Sequence, residues 1–265
     1  MSPRIGLNDF DMYYSSSGSG HPVALLHGFP LDHTMWKAQI DELSKDHRVI
    51  APDLRGHGRS QATPGPYTMD LLASDVNTLL DRLGLGPVVL GGLSMGGYAA
   101  FAFARQYPNR VKALILADTK AEADTPEAQA RREEQAQSVL KDGPRGLVDQ
   151  MIVKMFTGKT STSNPALVER LRNMMESTSP TGIAGALRGM ARRPDSTPLL
   201  RSMRVPTLII VGREDSLTTV SDAEKMANSI PGSQLVVIPE AAHLTTMEKP
   251  SEVNSAIRRF LQRVE

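Results

Sequence analysis

The stretch Val89-Leu-Gly-Gly-Leu-Ser-Met-Gly-Gly-Tyr-Ala-Ala-Phe101 places a single serine among four glycines, between an apolar run and a helix-like run. A strand and the helix after it are normally joined by a looser loop, so a turn compressed to Gly92-Leu-Ser94-Met-Gly96 indicates a sharply bent backbone. Side chains two positions before and two positions after the serine would collide across such a turn, which explains the glycines there. The stretch therefore predicts a serine held at a strained strand-to-helix turn.

Composition places the chain among ordinary soluble proteins with one large domain, or one domain that carries an insertion. It has 265 residues, of which 40% are hydrophobic and 22% are charged. Thirty Lys and Arg against twenty-nine Asp and Glu leave a net charge of +1, which argues against binding to nucleic acid or to an anionic membrane. Because the chain has no cysteine and no run typical of a signal peptide or a membrane span, we expect a cytoplasmic protein.

Short runs rich in Val, Ile and Leu alternate with helix-like segments, which is typical of a mostly parallel sheet covered on both faces. The predicted strands are Pro22–Leu26, Arg48–Ala51, Pro87–Gly91, Lys112–Ala117, Thr207–Val211 and Gln234–Ile238, after an antiparallel hairpin around Arg4–Ser15. The predicted helices between and after them are Met35–Ser44, Met69–Leu83, Met95–Gln106, Ser221–Ile230 and Ser251–Val264. We expect a doubly wound α/β sheet.

The alternation stops between residues 121 and 198, where the pattern is helical only. Gly143-Pro144, Asn164-Pro165 and Ser179-Pro180 divide this segment into four predicted helices. Helices inserted between two strands of a sheet usually cover the strand ends, so residues 1–120 and 199–265 are expected to form the core and residues 121–198 a helical cap. The charge run Arg131-Arg-Glu-Glu134 within the cap is interpreted as a solvated helix face.

Two further polar residues follow predicted strands, where an open α/β sheet collects its functional side chains. Ile210-Val-Gly-Arg-Glu-Asp215 places a carboxylate after one strand, and Ile238-Pro-Glu-Ala-Ala-His243 places an imidazole after the next. Ligands of such sheets bind outside the carboxyl ends of the strands, so we expect Ser94, Asp215 and His243 to meet there. Their order along the chain is the order of a known catalytic triad, in which the serine occupies a G-x-S-x-G turn.

These residue types in this arrangement favour nucleophilic catalysis. A serine hydroxyl is a poor nucleophile, so we expect His243 to accept its proton and return it to the leaving group, while Asp215 fixes the imidazole tautomer. The oxyanion that forms needs preorganised donors, which we assign to the backbone N–H groups of Met95 and Phe29. The phrase Leu25-Leu-His27-Gly28-Phe29-Pro30 follows a strand, and its glycine lets the chain bend toward the serine.

Other polar residues have competing interpretations. Asp118, after the strand Lys112–Ala117, is the alternative to Asp215 as the acid. Asp53 and His57 lie in a glycine-rich loop and are expected to build turns rather than to react. His33 has no acidic or serine motif around it and is interpreted as a surface or loop residue.

Five phrases, spread over nearly the whole chain, resemble the α/β-hydrolase family. They are His27-Gly-Phe-Pro30 with Trp36, Pro52-Asp-Leu-Arg-Gly-His-Gly-Arg-Ser60, Gly91-Gly-Leu-Ser-Met-Gly-Gly97, Gly212-Arg-Glu-Asp215, and Ala241-Ala-His243 with Glu248-Lys-Pro250. Within that family the chain is similar to the branch of small carboxylesterases, 3-oxoadipate enol-lactonases and cofactor-free haloperoxidases. The resemblance implies the α/β-hydrolase fold with a helical cap, and the Ser94, His243 and Asp215 triad.

The expected activity is that of a serine hydrolase acting on a small-molecule carboxylic ester or lactone, with no metal and no organic cofactor. The same triad also serves perhydrolysis, in which hydrogen peroxide attacks the acyl-enzyme, and a third possibility is a ligand receptor with negligible turnover. Candidate pocket residues are Trp36, Met151, Met155 and Leu217, and small apolar acyl groups are the expected substrates.

Overall fold

The fold is built on one sheet, seen in a computed structural model that describes residues 4–7 and 9–264. Within these residues its strands are β1 (Arg4–Gly6), β2 (Asp11–Ser17), β3 (His21–Leu26), β4 (His47–Pro52), β5 (Val88–Leu93), β6 (Val111–Ala117), β7 (Thr207–Gly212) and β8 (Gln234–Ile238). Their order across the sheet is β1-β2-β4-β3-β5-β6-β7-β8. Strands β1 and β2 pair antiparallel and β3 to β8 run parallel, which confirms the predicted mostly parallel α/β sheet.

Helices cover both faces of this sheet and fill the long interval between β6 and β7. In chain order they are α1 (Lys37–Leu43), α2 (Met69–Arg82), α3 (Met95–Gln106), α4 (Pro126–Asp142), α5 (Arg145–Ile152), α6 (Gly158–Ser163), α7 (Pro165–Ser177), α8 (Pro180–Ala191), α9 (Thr197–Leu200), α10 (Val220–Ser229), α11 (Thr245–Glu248) and α12 (Pro250–Val264). The predicted helix Met35–Ser44 is divided between a 3₁₀ turn, His33–Trp36, and α1. None of the helices in the described ranges has the length and apolar character needed to cross a bilayer.

The central strands are buried because apolar side chains leave them on both faces. Leu114 and Leu116 of β6 belong to the cluster that includes residues of α2, α3 and α10. Ile115, between them, belongs to the opposite cluster, with residues of α1 and α12. The alternation of side chains along a strand thus explains why these runs read as continuously hydrophobic.

The segment between β6 and β7 holds six helices, α4 to α9, where the sequence predicts four. The three proline-containing breaks lie where predicted, between α4 and α5 and at the first residues of α7 and α8. The sequence did not predict the two additional short helices. One is α6, whose start is capped by the Thr157 side chain accepting from the Thr160 N–H, and the other is the single turn α9.

Helix α8 packs directly on the backbone between β4 and α2. A Cβ atom on Gly182 would lie 1.9 Å from the carbonyl oxygen of Gly56, and one on Gly189 would lie 1.7 Å from that of Tyr67. The Tyr67 N–H also donates to the carbonyl of Gly185 at 2.9 Å. These glycines lack a side chain where two backbones touch, so α8 can pack closely against the segment between β4 and α2.

We expect Gly189→Ala to lower the free energy of unfolding by about 1–3 kcal/mol, because the new methyl group must displace the Tyr67 backbone. Urea unfolding measures the change. The matched control is Gly146→Ala in α5, where a Cβ meets nothing within 4 Å, and it should stabilise slightly through helix propensity. Equal effects of the two substitutions would contradict the proposed contact.

Candidate active site

Ser94 lies between the end of β5 and the start of α3, in a strained conformation. Its φ is 52°, a left-handed value that few non-glycine residues adopt. The Ser94 N–H donates to the Ala117 carbonyl at 3.0 Å, and the Ser94 carbonyl accepts from the Gly97 N–H and the Thr119 hydroxyl at 2.9 Å each. The surrounding contacts thus hold the Ser94 backbone in this strained bend.

The glycines on either side of Ser94 are required by close backbone contacts. A Cβ atom on Gly92 would lie 2.2 Å from the carbonyl oxygen of Gly96, and one on Gly96 would lie 2.2 Å from that of Leu26. Backbone atoms cannot yield as a flexible side chain can, so no larger residue fits without moving the turn. The structure therefore supplies the steric reason that the sequence pattern indicates.

His243 connects the two other predicted catalytic side chains. Its Nε2 atom lies 3.0 Å from the Ser94 hydroxyl oxygen, and its Nδ1 atom lies 2.8 Å from Oδ2 of Asp215. Asp215 follows β7 and His243 follows β8, so the parallel strands bring both loops to the same edge as the turn after β5. Residues separated by 149 and 28 positions in the chain thus form one hydrogen-bonded row.

Electrostatic effects in this row favour a carboxylate beside a histidine that gains protons readily. Burial by itself raises the pKa of Asp215, but the charge of His243 and donors that include the Thr218 hydroxyl at 2.6 Å bring it below its ordinary value. Burial by itself lowers the pKa of His243, but the charge of Asp215 and its hydrogen bond outweigh burial, with a further contribution from Asp118. The net result is a pKa above the ordinary 6.5.

Asp118, the alternative acid, makes other contacts. Its carboxylate accepts from the Gly212 N–H at 3.0 Å and from the N–H and hydroxyl of Thr245 at 3.1 and 2.6 Å. Burial, followed by the charge of Asp215, raises the pKa of Asp118 to about 8. Gly212 precedes Asp215 and Thr245 follows His243, so Asp118 joins the two loops that carry them. Among the hydrogen bonds of residues 4–7 and 9–264, Asp118 makes none with His243.

A cavity of about 320 Å³ opens beside this row. Its lining includes Ser94, His243, Phe29 and two of the predicted pocket residues, Met151 and Leu217. The cavity can therefore hold a small ligand against the serine hydroxyl.

The pocket prediction is wrong for Trp36 and Met155. Trp36 is 0% exposed, packs in the apolar cluster that includes residues of α1 and α12, and is not among the residues that line the cavity. Met155 would share the face of Met151 if α5 continued, but α5 ends at Ile152. Met155 is consequently buried, and its carbonyl accepts from the Leu244 N–H at 3.1 Å, next to His243.

The two backbone donors that the sequence assigns to an oxyanion site belong to Met95 and Phe29. Met95 is the first residue of α3, and the first N–H groups of a helix have no acceptor within it. In the described part of the chain, neither the Met95 N–H nor the Phe29 N–H donates a hydrogen bond to another protein group. Both groups therefore remain available to a ligand.

The family model for the alpha/beta hydrolase fold matches residues 21–250. The chain belongs to this family. The hydrolase is 32% identical to 3-oxoadipate enol-lactonase 2 of Acinetobacter baylyi, over 96% of this chain and 94% of that protein. A solved thermophilic esterase from Thermogutta terrifontis is 48% identical, with a TM-score of 0.95, over 96% of this chain and 94% of that one. A bromoperoxidase from Bacillus anthracis is 26% identical, with a TM-score of 0.86, over 96% of each chain.

The hydrolase also carries cavity residues that sequence reasoning missed. Lys120, Arg131, Arg132 and Lys154 line the cavity, together with the amides of two glutamines. Arg131 and Arg132 belong to the run that the sequence interprets as a solvated helix face; Arg131 is exposed and Arg132 half-buried, and both also line the cavity. The only signal in the sequence was the charge run itself, and no local pattern indicates which side of α4 faces the serine.

Potential metal ligands of the hydrolase lie apart from this cavity. Among the described residues, Asp32, His33 and Asp53 bring three such atoms within 4.8 Å of one another. Their atoms already have partners, since Asp53 Oδ1 lies 2.7 Å from His33 Nδ1 and Asp53 Oδ2 accepts from the Arg59 N–H at 2.8 Å. His33 is half-buried at the start of the 3₁₀ turn and bonds to Asp53, so the interpretation of it as a surface or loop residue is wrong, while Asp53 builds its loop as predicted.

Proposed function

We propose that the protein is a serine hydrolase that cleaves a carboxylic ester or lactone through an acyl-enzyme. The observation that carries the proposal is the row in which His243 Nε2 lies 3.0 Å from the Ser94 oxygen and His243 Nδ1 lies 2.8 Å from Asp215. This spacing is within reach of proton transfer, and the row borders a cavity of suitable size. The similarity to an enol-lactonase and to an esterase supports both substrate types.

In the proposed mechanism His243 takes the hydroxyl proton as the Ser94 oxygen bonds to the substrate carbonyl carbon. The resulting imidazolium is stabilised by Asp215, which keeps Nδ1 protonated throughout. The oxyanion is bound by the N–H groups of Met95 and Phe29 until it collapses and expels the alcohol, which receives the proton from His243. Water then repeats the sequence on the acyl-enzyme and releases the acid.

We further propose that residues 121–198 act as a cap over a core made of residues 1–120 and 199–265. Support comes from the cavity lining, to which α4 contributes Arg131, α5 contributes Met151 and α8 contributes Leu187. The cap thereby selects substrates without taking part in proton transfer.

The test is steady-state hydrolysis of para-nitrophenyl butyrate and of a small lactone across pH. We expect many turnovers per molecule, with kcat/KM rising with pH as His243 loses its proton. Because Asp215 raises the pKa of His243, this ionisation should lie above the ordinary histidine value of 6.5.

Three outcomes would contradict the proposal. A single stoichiometric burst would identify a ligand receptor with negligible turnover, and activity seen only with hydrogen peroxide would identify a perhydrolase. A rate that falls as pH rises through neutrality would show that His243 is not the base.

A further inference from the structure

Both neighbours of His243 in the chain donate hydrogen bonds to groups beyond their own loop. The Leu244 N–H donates to the Met155 carbonyl at 3.1 Å. The Ala242 N–H donates to Oε2 of the Glu248 carboxylate at 2.7 Å. The position of the His243 backbone therefore depends on these two acceptors.

Glu248 joins the His243 loop to the proposed cap. Its other oxygen, Oε1, accepts from the Thr157 N–H at 2.9 Å and from the Thr157 hydroxyl at 2.7 Å. The same hydroxyl caps α6 by accepting from the Thr160 N–H at 3.1 Å. One carboxylate thus receives three hydrogen bonds, two from the cap and one from the backbone beside His243.

The part of the cap that makes these contacts is a short connector, residues 155–157, between α5 and α6. The connector is buried, whereas the residues immediately before and after it are exposed. A chain that is buried for three residues must satisfy its backbone polar groups there, and the connector does so on the His243 loop and Glu248. It also follows closely on Met151 and Lys154, which line the cavity. The connector therefore links the cavity wall to the backbone beside His243.

Glu240 makes a second contact between the His243 loop and the cap, but at the surface. Its carboxylate lies 2.5 Å from the Lys159 ammonium, and both side chains are exposed. An exposed ion pair of this kind contributes little to stability. Glu248, by contrast, is half-buried and bonds to the N–H groups of buried residues on both sides, where an unpaired N–H is costly. Glu248 rather than Glu240 thus holds the loop to the cap.

We propose that Glu248 is a positioning residue for the general base: it holds the backbone of His243 against the connector, so that the imidazole lies within reach of both its partners. The inference rests on the proposed hydrolase function and adds a residue to it. The two contacts that depend on this position are the 3.0 Å from Nε2 to the Ser94 oxygen and the 2.8 Å from Nδ1 to Asp215. Because proton transfer requires such distances, a small displacement of His243 slows the reaction without weakening substrate binding.

Glu248 acts on His243 through position rather than through charge. Burial lowers the pKa of His243, and the charged groups of the described chain that affect it most are Asp215 and Asp118, which raise the pKa, and Lys120, which lowers it. Glu248 is not among these groups. Loss of the Glu248 contact should therefore lower the pKa of His243 toward 6.5 by loosening its bond to Asp215.

The test compares Glu248→Gln with Glu240→Gln in the hydrolysis of para-nitrophenyl butyrate. The amide of glutamine has one acceptor oxygen, so either the connector or the Ala242 N–H loses its bond. We expect Glu248→Gln to lower kcat by about ten- to a hundred-fold with KM changed by no more than about two-fold. The pH midpoint of kcat/KM should move down toward 6.5.

The control, Glu240→Gln, removes the same charge from the same loop and should keep the wild-type kcat and pH midpoint. Equal behaviour of the two variants would overturn the positioning role. So would a rise in KM at unchanged kcat in Glu248→Gln, because that result would indicate a role in substrate binding.

A second pair of variants leaves Glu248 intact and changes the cap side of the contact. Thr157→Val removes the hydroxyl that donates to Glu248, and should lower kcat by about three- to ten-fold and shift the pH midpoint as Glu248→Gln does. Loss of the α6 cap alone would not move the midpoint. Thr157→Ser keeps the hydroxyl and should restore both values. A Thr157→Ser protein as impaired as Thr157→Val would overturn the link, and this pair decides the question if Glu248→Gln fails to fold.

A nuclear magnetic resonance titration of the His243 ring separates this inference from the hydrolase proposal, because it requires no turnover. We expect a lower pKa of His243 in Glu248→Gln than in the wild-type and Glu240→Gln proteins. If the ester is hydrolysed but Glu248→Gln changes neither kcat nor the His243 pKa, the positioning role is wrong and the hydrolase stands. If the His243 pKa falls as expected but no ester is hydrolysed, the hydrolase proposal fails instead.

Discussion

Ser94→Ala is expected to lower kcat for para-nitrophenyl butyrate by about 10⁶-fold, the loss seen when a triad serine is removed. The substitution deletes only the hydroxyl that His243 Nε2 approaches at 3.0 Å, so no other group can take over the attack. Backbone contacts, including the Ser94 N–H to Ala117 carbonyl bond, hold the turn and are untouched. The protein should therefore fold as before.

Two measurements check this result. Initial rates at high enzyme concentration give the residual activity, and a fluorophosphonate probe should label the wild-type protein at Ser94 but not the variant. An unchanged thermal unfolding curve serves as the control for folding. A Ser94→Ala protein that keeps a tenth of the activity would show that the reaction uses another nucleophile.

Asp215→Asn should lower kcat by about 10⁴-fold, because an amide in place of the carboxylate favours the wrong tautomer of His243 and no longer stabilises the imidazolium. The carboxylate lies 2.8 Å from His243 Nδ1 and has the Thr218 hydroxyl at 2.6 Å to orient it. Initial rates of butyrate ester hydrolysis measure the loss.

Asp118→Asn is the matched comparison, since Asp118 is the other buried aspartate beside the same loops. Its carboxylate bonds to Gly212 and Thr245 rather than to His243, so the substitution should reduce stability and lower kcat by no more than about ten-fold. Finding Asp118→Asn inactive and Asp215→Asn active would exchange the roles of the two acids and leave the serine mechanism in place.

Features that depend on local chain geometry were predictable from the sequence. The need for glycine at position 92 follows from a contact within one turn, since a Cβ atom there would lie 2.2 Å from the Gly96 carbonyl oxygen, whereas Gly96 is required by the Leu26 carbonyl of another strand. The gathering of Asp215 and His243 near Ser94 follows from a general rule, since the carboxyl ends of parallel strands lie at one edge of the sheet. The alternation of apolar runs with helices likewise predicted the parallel sheet, because neighbouring residues alone determine that pattern.

The choice between Asp215 and Asp118 depended on the tertiary structure. Each follows a strand of the same sheet, β7 or β6, so the sequence places both near His243. The conformation of the loops decides between them. Asp215 Oδ2 lies within hydrogen-bond distance of the His243 imidazole, whereas the carboxylate oxygens of Asp118 accept from the N–H groups of Gly212 and Thr245. Hydrogen bonds between loops far apart in the chain produce no periodic pattern in the sequence from which they could be predicted.

By itself, the sequence determined the sheet, the strained serine turn and the set of reactive groups, because each results from short-range sterics or from the rule that parallel strands end together. Only the tertiary structure decided which side chains line the cavity. It buried Trp36 and Met155 in the core and placed Arg131 and Lys154 in the lining of the cavity that also includes Ser94. The reason is that a helix pattern shows that one face is apolar, but the angle and end of each helix depend on packing against distant segments, such as the glycine contact of α8 with Tyr67.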